Sequence, residues 1–481
     1  MKTETKQFLK ETQANLLENE KLMYCYECGI CTGSCPIVWM DPKHHNPRIL
    51  LRKIVFDLKE ASNDTGLWMC MQCYRCRDRC PQKVDLPEIF LSIRDLVAEQ
   101  DLLPNLTGKL EEVLKVISEE VPLASVYGWL CFRPNEVQNQ RKVDKLATEA
   151  LENFMTGRKK EKAVSIPKTS RKKIAIIGSG PAGLTAAGEL VKMGYPVTVF
   201  ESLPELGGML RVGLPNFRFP KEALDVDINY IKNLGVEFKT GTSVGKDVTV
   251  ERLLKEGYKA VFIATGAHKG MKPNIEGEKL EGVIQALDLL KNFNEGKKVN
   301  FGGSVAVIGC GNVAIDVART AIRLGAKDVN ILYRRTKDEM SAIPMEVKEA
   351  EREGVKFNFL VAPKKIQGKD GCVSGVECIR MQLGAPDETG RKRPVPIENS
   401  EFTVEAKTVI LAIGESPDIS FIPKELESTT RNTIEVNPFT LETSMPGIYA
   451  GGDVVSGPAS AIEAIAAGKR AAASIDSYLK G

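Results

Sequence analysis

Eight of the twelve cysteines in this 481-residue chain fall into two short runs that share one spacing. Each run reads Cys-x2-Cys-x2-Cys-x3-Cys and is followed by a proline. The eight positions are Cys25, Cys28, Cys31, Cys35, Cys70, Cys73, Cys76 and Cys80. Three thiolates at this spacing can wrap one face of an iron–sulfur cubane, while the fourth cysteine of each run ligates the other cluster. The runs therefore predict two [4Fe–4S] clusters that organise the N-terminal part of the chain.

The spacing also divides the eight thiolates between the two clusters. One cluster is assigned Cys25, Cys28, Cys31 and Cys80. The other is assigned Cys70, Cys73, Cys76 and Cys35. Zinc is the main alternative, because paired Cys-x2-Cys motifs also bind it, but a zinc site rarely uses a third cysteine at this spacing. His44 and His45 lie between the runs, and since the cysteines fill both clusters we expect ordinary loop histidines.

Composition and charge narrow the class of protein. The net charge is only +3, which gives no reason to expect nucleic acid as a partner. The basic stretch from Arg158 to Lys173 is interpreted as a solvated linker. No apolar run approaches the roughly 20 residues of a membrane helix, and the charged segment from Met1 to Lys21 is not a secretory signal. We therefore expect a cytoplasmic protein without membrane insertion. In such a protein, clustered cysteines are expected to bind metal rather than to form disulfides, and Cys131, which lies outside the clusters, is expected to be a packed thiol.

From residue 172 onward, short β-branched runs alternate with helical periods, which is typical of βαβ units. The pattern occurs twice, starting at Lys173 and at Ser304. In the first copy a Gly-x-Gly-x-x-Gly turn follows a strand and opens a helix. Its glycines permit the tight turn, let a pyrophosphate approach the backbone and let the helix pack closely. Glu201 ends the next strand, where it would accept hydrogen bonds from ribose hydroxyls. The residues predicted to bind this dinucleotide are Gly178, Gly180, Ala182, Gly183 and Glu201.

The second copy carries a related turn, Gly309-Cys-Gly-Asn-Val-Ala314, in which alanine replaces the third glycine. Alignment of the two copies puts Tyr333 where Glu201 stands in the first, and Arg334 and Arg335 follow. A guanidinium pair suits the 2′-phosphate of NADP, which arginine can bind through two parallel hydrogen bonds. The second copy is therefore predicted to prefer NADP(H) to NAD(H). The residues expected to contact it are Gly309, Gly311, Asn312, Val313, Arg334 and Arg335.

With these motifs in place, residues 171 to 481 resemble the glutamate synthase small-subunit family of FAD/NADPH oxidoreductases. The motifs that carry the resemblance are Gly207-Gly-Met209, Gly213-Leu-Pro215, Phe219-Pro-Lys221, Ala264-Thr-Gly266, Ala412-Ile-Gly414 and Gly451-Gly-Asp453. The resemblance implies FAD in the first copy, with Asp453 on the ribityl chain and a helix from Ala459 to Ala473 directed at the flavin. The further FAD contacts that it implies are Gly208, Met209, Thr265, Gly266, Gly414, Gly452, Asp453 and Ala461.

Residues 22 to 100 depart from the cysteine spacing of that family. Two full runs followed by Val84-Asp-Leu-Pro87 instead resemble the C subunit of heterodisulfide reductase. Proteins that combine both parts include NADP-reducing subunits of electron-bifurcating complexes, among them a Sporomusa-type transhydrogenase, and this chain is similar to those. The resemblance implies a subunit of a hetero-oligomer. Its protein redox partners would be hydrogenase-like, NADH-oxidising or ferredoxin-type.

The motifs together predict an α/β fold with two Rossmann-like dinucleotide-binding domains, for FAD and NADPH, preceded by a mainly helical iron–sulfur domain. The expected boundaries are 1–155 for the helical domain, 156–171 for a linker, 172–300 and 413–481 for the FAD domain, and 301–412 for the NADPH domain. The expected function is electron transfer between NADP(H), FAD and two [4Fe–4S] clusters. The cofactors supply the chemistry, so no catalytic side chain is predicted.

Three alternatives stay open. A disulfide reductase similar to thioredoxin reductase would need a redox cysteine pair, yet Cys310 stands alone, and Cys372 and Cys378 are six residues apart on one face of a predicted strand. A non-catalytic electron-wiring subunit would not turn over NADPH by itself. A true glutamate synthase small subunit would support glutamate formation only with a large partner.

Overall fold

The computed structural model describes residues 25–133, 141–161, 166–299, 301, 303–386 and 391–481. Its N-terminal region is helical, which confirms the predicted helical domain. The helices are α1 Ile30–Gly33, α2 Pro36–Met40, α3 Pro47–Phe56, α4 Leu58–Asn63, α5 Thr65–Met69, α6 Arg75–Arg79, α7 Leu86–Glu99, α8 Leu106–Glu120, α9 Ala124–Phe132 and α10 Lys142–Lys160. Among the described residues, no helix combines the length and apolar character needed to cross a membrane.

Short polar side chains start the helices between the two cysteine runs. Asn46, Asp57 and Asp64 each accept a hydrogen bond from a backbone N–H two or three residues further on, at 3.2, 3.0 and 2.8 Å. Such caps satisfy N–H groups that have no partner within the first helical turn. The chain is thereby broken into α3, α4 and α5, and these turns bring the second cysteine run back beside the first.

Two five-stranded parallel sheets follow, with strand orders β15-β4-β1-β2-β3 and β6-β13-β7-β8-β9. The first contains β1 Lys173–Ile177, β2 Val197–Phe200, β3 Glu237–Lys239, β4 Tyr258–Ile263 and β15 Ile448–Ala450. The second contains β6 Val283–Gln285, β7 Ser304–Ile308, β8 Asp328–Tyr333, β9 Lys356–Phe359 and β13 Thr408–Leu411. The central strands β1 and β7 are buried over nearly their whole length, as expected for parallel sheets. The predicted pair of Rossmann-like units is confirmed.

The remaining elements cover and connect the sheets. The helices are α11 Pro181–Lys192, α12 Met209–Val212, α13 Lys221–Asn233, α14 Val250–Lys255, α15 Ala286–Asn294, α16 Asn312–Arg323, α17 Pro344–Arg352, α18 Asp453–Ser456 and α19 Ala461–Lys480, with a 3-10 turn at Lys337–Glu339. The other strands are β5 Lys269–Gly270, β10 Val361–Lys369, β11 Cys372–Pro386, β12 Lys392–Glu405 and β14 Glu415–Ser416. Helix α19 starts two residues later than predicted, because Ser460 and Glu463 form a capping box there, and it ends at Lys480 rather than at Ala473.

Strand pairing moves one predicted domain boundary. β6 pairs with β13, Val283 lying opposite Val409, so residues from Val283 onward already belong to the second sheet rather than to the first domain. β15 returns to the first sheet beside β4. Between the sheets, β5 pairs with β14, and the chain crosses from one domain to the other along this two-stranded connection.

Arg158 corrects the interpretation of the basic stretch as solvated. It lies on α10, which runs past the predicted boundary at 155, and its side chain is buried. Its Nε atom lies 3.1 Å from Asp227 Oδ1 on α13, and its guanidinium lies 3.9 Å from the ring centroid of Tyr230. Asp227 also accepts a hydrogen bond from the Val126 N–H at 2.9 Å. This pair fastens the helical domain to the first sheet.

Asp227→Asn would leave Arg158 buried without a counter-charge. Breaking a buried pair in this way costs about 3 kcal/mol, so we expect the helical domain to unfold at a lower denaturant concentration. Its transition can be followed by fluorescence, because all three tryptophans lie in that domain. The exposed pair Arg252–Glu256 supplies the control, since Arg252→Gln should cost less than about 1 kcal/mol. Equal midpoints for the two variants would contradict the role of Asp227.

Candidate cofactor sites

A glycine turn joins β1 to α11 at the carboxyl edge of the first sheet. Gly178 has a φ of +101°, and a Cβ there would lie 2.5 Å from the carbonyl oxygen of Ala264, just after β4. A Cβ on Gly183 would lie 2.0 Å from the carbonyl oxygen of Gly178. Any larger residue would force these backbones apart. The close approach sets the N-terminus of α11 over the strand ends, the arrangement in which such folds bind a pyrophosphate.

Glu201 follows β2 and is buried. One carboxylate oxygen accepts hydrogen bonds from the backbone N–H of Ser179 at 2.9 Å and from its hydroxyl at 2.6 Å. The other oxygen accepts from the Leu203 N–H at 2.8 Å. Glu201 thus ties the glycine turn to the end of β2, a role that the sequence did not reveal. Its contact with ribose hydroxyls stays a prediction.

The loop after β2 closes on the same turn. A Cβ on Gly208 would lie 2.9 Å from the Cα atom of the turn's second glycine, and Met209 begins α12 next to it. Lys221, at the start of α13, donates hydrogen bonds to the carbonyl oxygens of Leu210 at 2.9 Å and Leu214 at 2.6 Å. Burial lowers the pKa of Lys221 to about 7. This lysine therefore fixes the loop that carries Met209 and the predicted flavin contacts.

A buried hydroxyl and a buried carboxyl lie at the strand ends of the first sheet. The hydroxyl of Thr265 is buried and has no hydrogen-bond partner among the described residues, and its Cα would lie 3.2 Å from a Cβ on Gly178. Burial raises the pKa of the Asp453 carboxyl, after β15, to about 7. Buried polar groups are nearly always hydrogen-bonded, so a hydroxyl-rich ligand here would supply the partner that the Thr265 hydroxyl lacks. These residues fit the ribityl and phosphate parts of FAD.

The long C-terminal helix packs against this site. Ala461 is its first residue, and the hydroxyl of Ser460 donates to Glu463 at 2.7 Å, which closes the first turn. Further along α19, a Cβ on Gly468 would lie 2.3 Å from the carbonyl oxygen of Ala182 on α11. A Cβ on Gly452, after β15, would lie 3.2 Å from the Cβ atom of Ala182 and 3.8 Å from that of Ala464, so the first turns of α11 and α19 approach the same strand end. Gly452 and Gly266, both with positive φ, border them.

A second glycine turn joins β7 to α16 and packs against the end of β13. Gly309 has a φ of +119°, and a Cβ there would lie 2.1 Å from the carbonyl oxygen of Ala412, just after β13. Asn312 begins α16 after Gly311, and its side-chain oxygen accepts a hydrogen bond from the Ile343 N–H at 2.9 Å. The residues fit a nucleotide pyrophosphate in the same way as those of the first sheet. Gly414, with a φ of +123°, lies in the turn that follows Ala412.

The two arginines after β8 that are predicted to contact the 2′-phosphate differ in their surroundings. Arg334 is exposed, whereas Arg335 is buried and donates from Nε to the carbonyl oxygen of Lys392 at 2.9 Å. Arg391, before β12, donates to the hydroxyl of Tyr333 at 3.2 Å. It brings a further cation to the end of β8. Sequence reasoning missed it because 58 positions separate it from Tyr333.

The eight cysteines line two cavities. The outer cavity is lined by Cys25, Cys28, Cys31 and Cys80, together with Cys76. The inner cavity is lined by Cys35, Cys70, Cys73 and Cys76. With the solvent at their mouths they enclose about 430 and 320 Å³, and within the described ranges no three His, Cys, Asp or Glu side chains converge on a single-ion position. We call Cys25, Cys28, Cys31 and Cys80 the outer set, and Cys35, Cys70, Cys73 and Cys76 the inner set.

The inner set is the more buried of the two. Burial raises the pKa of the Cys35 thiol to about 12 and that of Cys73 to about 11, while Cys28 of the outer set is exposed. Thiolates in such surroundings need a compensating cation, which iron supplies. The donor set therefore fits iron–sulfur clusters. Cys131, as expected, is a packed thiol, buried and bonded to the Trp68 carbonyl at 3.2 Å.

His45 lies in a loop, as expected, but it is buried rather than solvated. It is almost fully buried, lines the inner cavity, and its Nδ1 atom lies 2.7 Å from the carbonyl oxygen of Gly66. Burial lowers the pKa of its ring to about 4. His44 is partly exposed and pairs with Asp41 at 2.8 Å.

Charged and aromatic side chains join the inner set to the flavin-side helix. Arg75, within the second cysteine run, forms an ion pair with Glu463 in the first turn of α19. The ring centroid of Trp39 lies 5.6 Å from the guanidinium of Arg75 and 5.5 Å from that of Arg470 on α19. These cation–π contacts and the ion pair hold the inner cavity beside the N-terminus of α19.

Fold and site motifs define the class of protein. The chain belongs to the pyridine nucleotide-disulphide oxidoreductase family, whose model matches residues 172–468, and a 4Fe-4S dicluster domain model matches residues 21–84. It is thus an NADP(H) oxidoreductase of the flavoprotein type with an N-terminal 4Fe–4S domain, which confirms the predicted class.

Named relatives share this combination over most of the chain. It is 41% identical over 437 residues to the NADP(+)-dependent formate dehydrogenase subunit beta of Moorella thermoacetica, a match that covers 84% of this chain and 60% of that protein. It is 37% identical to the NADPH-Fe(3+) oxidoreductase subunit beta of Geobacter sulfurreducens, covering 97% of this chain and 71% of that one. The small chain of Escherichia coli glutamate synthase is 39% identical over 65% of this chain and 70% of its own length.

Solved structures share the fold. FprA from Mycobacterium tuberculosis in complex with NADPH is 22% identical, with a TM-score of 0.55 over 65% of this chain and 85% of that one. Thioredoxin reductase of T. acidophilum has a TM-score of 0.51 over 65% of this chain and 100% of its own.

A disulfide-reductase site does not form at the scattered cysteines. All twelve cysteines are free in the structure. Cys378 is buried and Cys372 is exposed on the same strand, contrary to the expectation of one shared face, because the pairing register of β10 and β11 shifts near Gln367. Cys310, buried in the second glycine turn, has its thiol pKa raised to about 12 by burial.

Replacing the first glycine of each turn by alanine tests the two nucleotide sites one at a time. Gly178→Ala and Gly309→Ala both put a methyl group against a backbone carbonyl at a positive φ. If the first turn binds FAD and the second NADP(H), Gly178→Ala loses bound flavin, whereas Gly309→Ala keeps flavin and binds NADPH at least about tenfold more weakly, a change of about 1.4 kcal/mol. Flavin released on denaturation and NADPH titration measure the two effects. The opposite pattern would reverse the assignment.

Proposed function

We propose that this chain passes electrons between NADP(H) and two [4Fe–4S] clusters through bound FAD, as a subunit of an electron-bifurcating transhydrogenase or a related complex. The observation that carries the proposal is the ion pair between Arg75, which lies between Cys73 and Cys76 in the chain, and Glu463 on α19. Helix α19 begins at Ala461, a residue of the proposed FAD site. The second cysteine run thus contacts the helix that begins at the proposed FAD site.

Each cofactor has a proposed set of residues. FAD would be held by Gly178, Gly180, Ala182, Gly183, Glu201, Gly208, Met209, Thr265, Gly266, Gly414, Gly452, Asp453 and Ala461. NADP(H) would be held by Gly309, Gly311, Asn312, Val313, Arg334 and Arg335, with Arg391 as a further cation. When bound, FAD exchanges a hydride with nicotinamide and single electrons with iron–sulfur centres. The chain binds and orients these groups, Lys221 fixing the flavin-side loop and Glu201 the glycine turn.

A network of buried ion pairs joins the three domains and so supports a fixed arrangement of the proposed cofactor sites. Arg218, on the flavin-side loop, binds both carboxylate oxygens of Asp316 on α16, at 2.6 and 2.8 Å, and also contacts Glu346 on α17. Arg133, at the end of α9, lies 2.8 Å from the same Glu346. The network thus includes one residue of the helical domain, one of the FAD domain and two of the NADPH domain. Low local dielectric strengthens such contacts once the charges are paired.

Exposure of the outer set favours it as the side that faces a protein partner. Cys28 is exposed, and the nearby side chains of Tyr26, Ile30 and Ile49 are 71%, 42% and 48% exposed. Exposed apolar groups gathered around a redox centre suit a protein interface. The names of the Moorella and Geobacter relatives, both beta subunits, support a hetero-oligomer. We propose a protein partner of the hydrogenase-like, NADH-oxidising or ferredoxin type. A dehydrogenase subunit is a further candidate, given the name of the Moorella relative.

A glutamate synthase small subunit is the second candidate, favoured by identities of 39% and 33% to such chains from Escherichia coli and Azospirillum brasilense. Glutamine-dependent glutamate formation with a large partner would identify it. An electron-wiring subunit without activity of its own is the third candidate. NADPH-dependent dye reduction by the isolated chain would exclude it.

Paired cysteine variants test the proposed order of transfer, from flavin to the inner set and then to the outer set. Cys28→Ser should lose the outer cluster and leave an inner cluster that NADPH still reduces. Cys73→Ser should lose the inner cluster, so that the outer cluster stays oxidised under NADPH because its route is interrupted. Electron paramagnetic resonance after anaerobic NADPH addition reads both outcomes, and dithionite verifies that the remaining cluster is present. Equally fast reduction of the outer cluster in Cys73→Ser would refute the order.

A further inference from the structure

A buried arginine lies behind the inner set. Arg94, on α7, is 3% exposed. Its Nε and Nη2 atoms donate to the carbonyl oxygen of Leu67 at 3.1 and 2.7 Å, and Nη2 also donates to the carbonyl oxygen of Cys70 at 2.8 Å. The Sγ atom of Cys131 lies 3.9 Å from Nη2. The guanidinium is therefore held directly against the backbone of a predicted cluster ligand.

Among the described residues, the charge of Arg94 has no carboxylate within ion-pair distance. No Asp or Glu oxygen of the described residues forms an ion pair with it within 4.0 Å, although other buried arginines have one: Arg158 pairs with Asp227, and Arg319 with Glu353. Hydrogen bonds from Nε and Nη2 to carbonyl oxygens leave the unit charge without a counter-charge among the described residues. A buried cation without a counter-charge costs several kcal/mol.

The inner cavity can supply the missing charge. A cubane held by four thiolates carries net negative charge, and its reduction adds one electron and no proton. Charge and hydrogen bonding around a cluster set its potential. A buried cation stabilises the reduced form more than the oxidised form, because the interior screens charge poorly. The charge of Arg133 also acts on Cys70, but Arg133 is already paired with Glu346 at 2.8 Å.

We propose that Arg94 is the built-in counter-charge of the cluster held by Cys35, Cys70, Cys73 and Cys76, and that it raises the reduction potential of this cluster above the value the thiolates alone would give. The proposal rests on the two-cluster function proposed above. A hydride carries two electrons and each cluster takes one, so the buried charge favours retention of an electron on the inner cluster. Arg48, the cation that lines the outer cavity, is partly exposed and screened by water.

Three variants of the full chain, purified and reconstituted without oxygen, test the role of this charge. Arg94→Gln removes the charge, Arg94→Lys keeps it but loses the planar fork, and Arg48→Gln removes a cation beside the outer set. Midpoint potentials of both clusters are read by redox titration with electron paramagnetic resonance, and iron is counted per chain. We expect Arg94→Gln to lower the inner potential and leave the outer one in place. Arg94→Lys should recover most of the loss, and Arg48→Gln should leave the inner potential unchanged.

Several outcomes would overturn the assignment. An inner potential that is unchanged in fully loaded Arg94→Gln would do so, as would an equal fall in Arg48→Gln, which would point to overall charge. If Arg94→Gln fails to assemble the inner cluster, Arg94→Lys must assemble it with a potential near that of the wild type; failure of both variants would leave only a structural role. Absence of two clusters from the wild-type chain would instead refute the proposed function.

Discussion

The contact between a glycine turn and the end of a neighbouring strand sets the geometry of both nucleotide sites. In the first sheet the backbone at Gly178 approaches the carbonyl of Ala264, and in the second sheet Gly309 approaches the carbonyl of Ala412 in the same way. A methyl group fits in neither place. Because each contact lies at the carboxyl edge of a parallel sheet, the helix that follows begins over the strand ends, where a phosphate can be bound. The chain thus uses one backbone contact twice, for two cofactors.

The helical domain depends on the first sheet for its placement. Arg158 and Asp227 fasten its last helix to α13, and Arg75 with Glu463 fastens the second cysteine run to α19. The two contacts together leave the inner set next to the flavin-side helix and the outer set toward solvent. Arg133 and Arg218 converge on Glu346, so the same interface also bears on the NADPH domain. A few buried ion pairs therefore fix the cluster-binding region relative to both sheets.

Local patterns in the sequence were sufficient for the fold class, the helical cysteine domain and the two βαβ copies, because glycine turns and cysteine runs depend on residues close together in the chain. The features that were missed come from distant segments. Arg391 reaches Tyr333 across 58 positions of the chain, and His45 is bonded to the carbonyl of Gly66, 21 positions later. Likewise β6 joins the second sheet by pairing with β13, which moved a domain boundary. Long-range pairing of this kind leaves no local signature in a single sequence.

The central claim is that one chain conducts electrons from NADPH to its own iron–sulfur clusters. Its most direct test is an anaerobic titration of the isolated, flavin- and iron-loaded chain with NADPH, followed by electron paramagnetic resonance. The account predicts that cluster signals grow with added NADPH, with about one NADPH supplying the electrons for two clusters, and that NADH at the same concentration gives a much smaller signal. Clusters that stay oxidised under excess NADPH, while dithionite reduces them in the same sample, would contradict it.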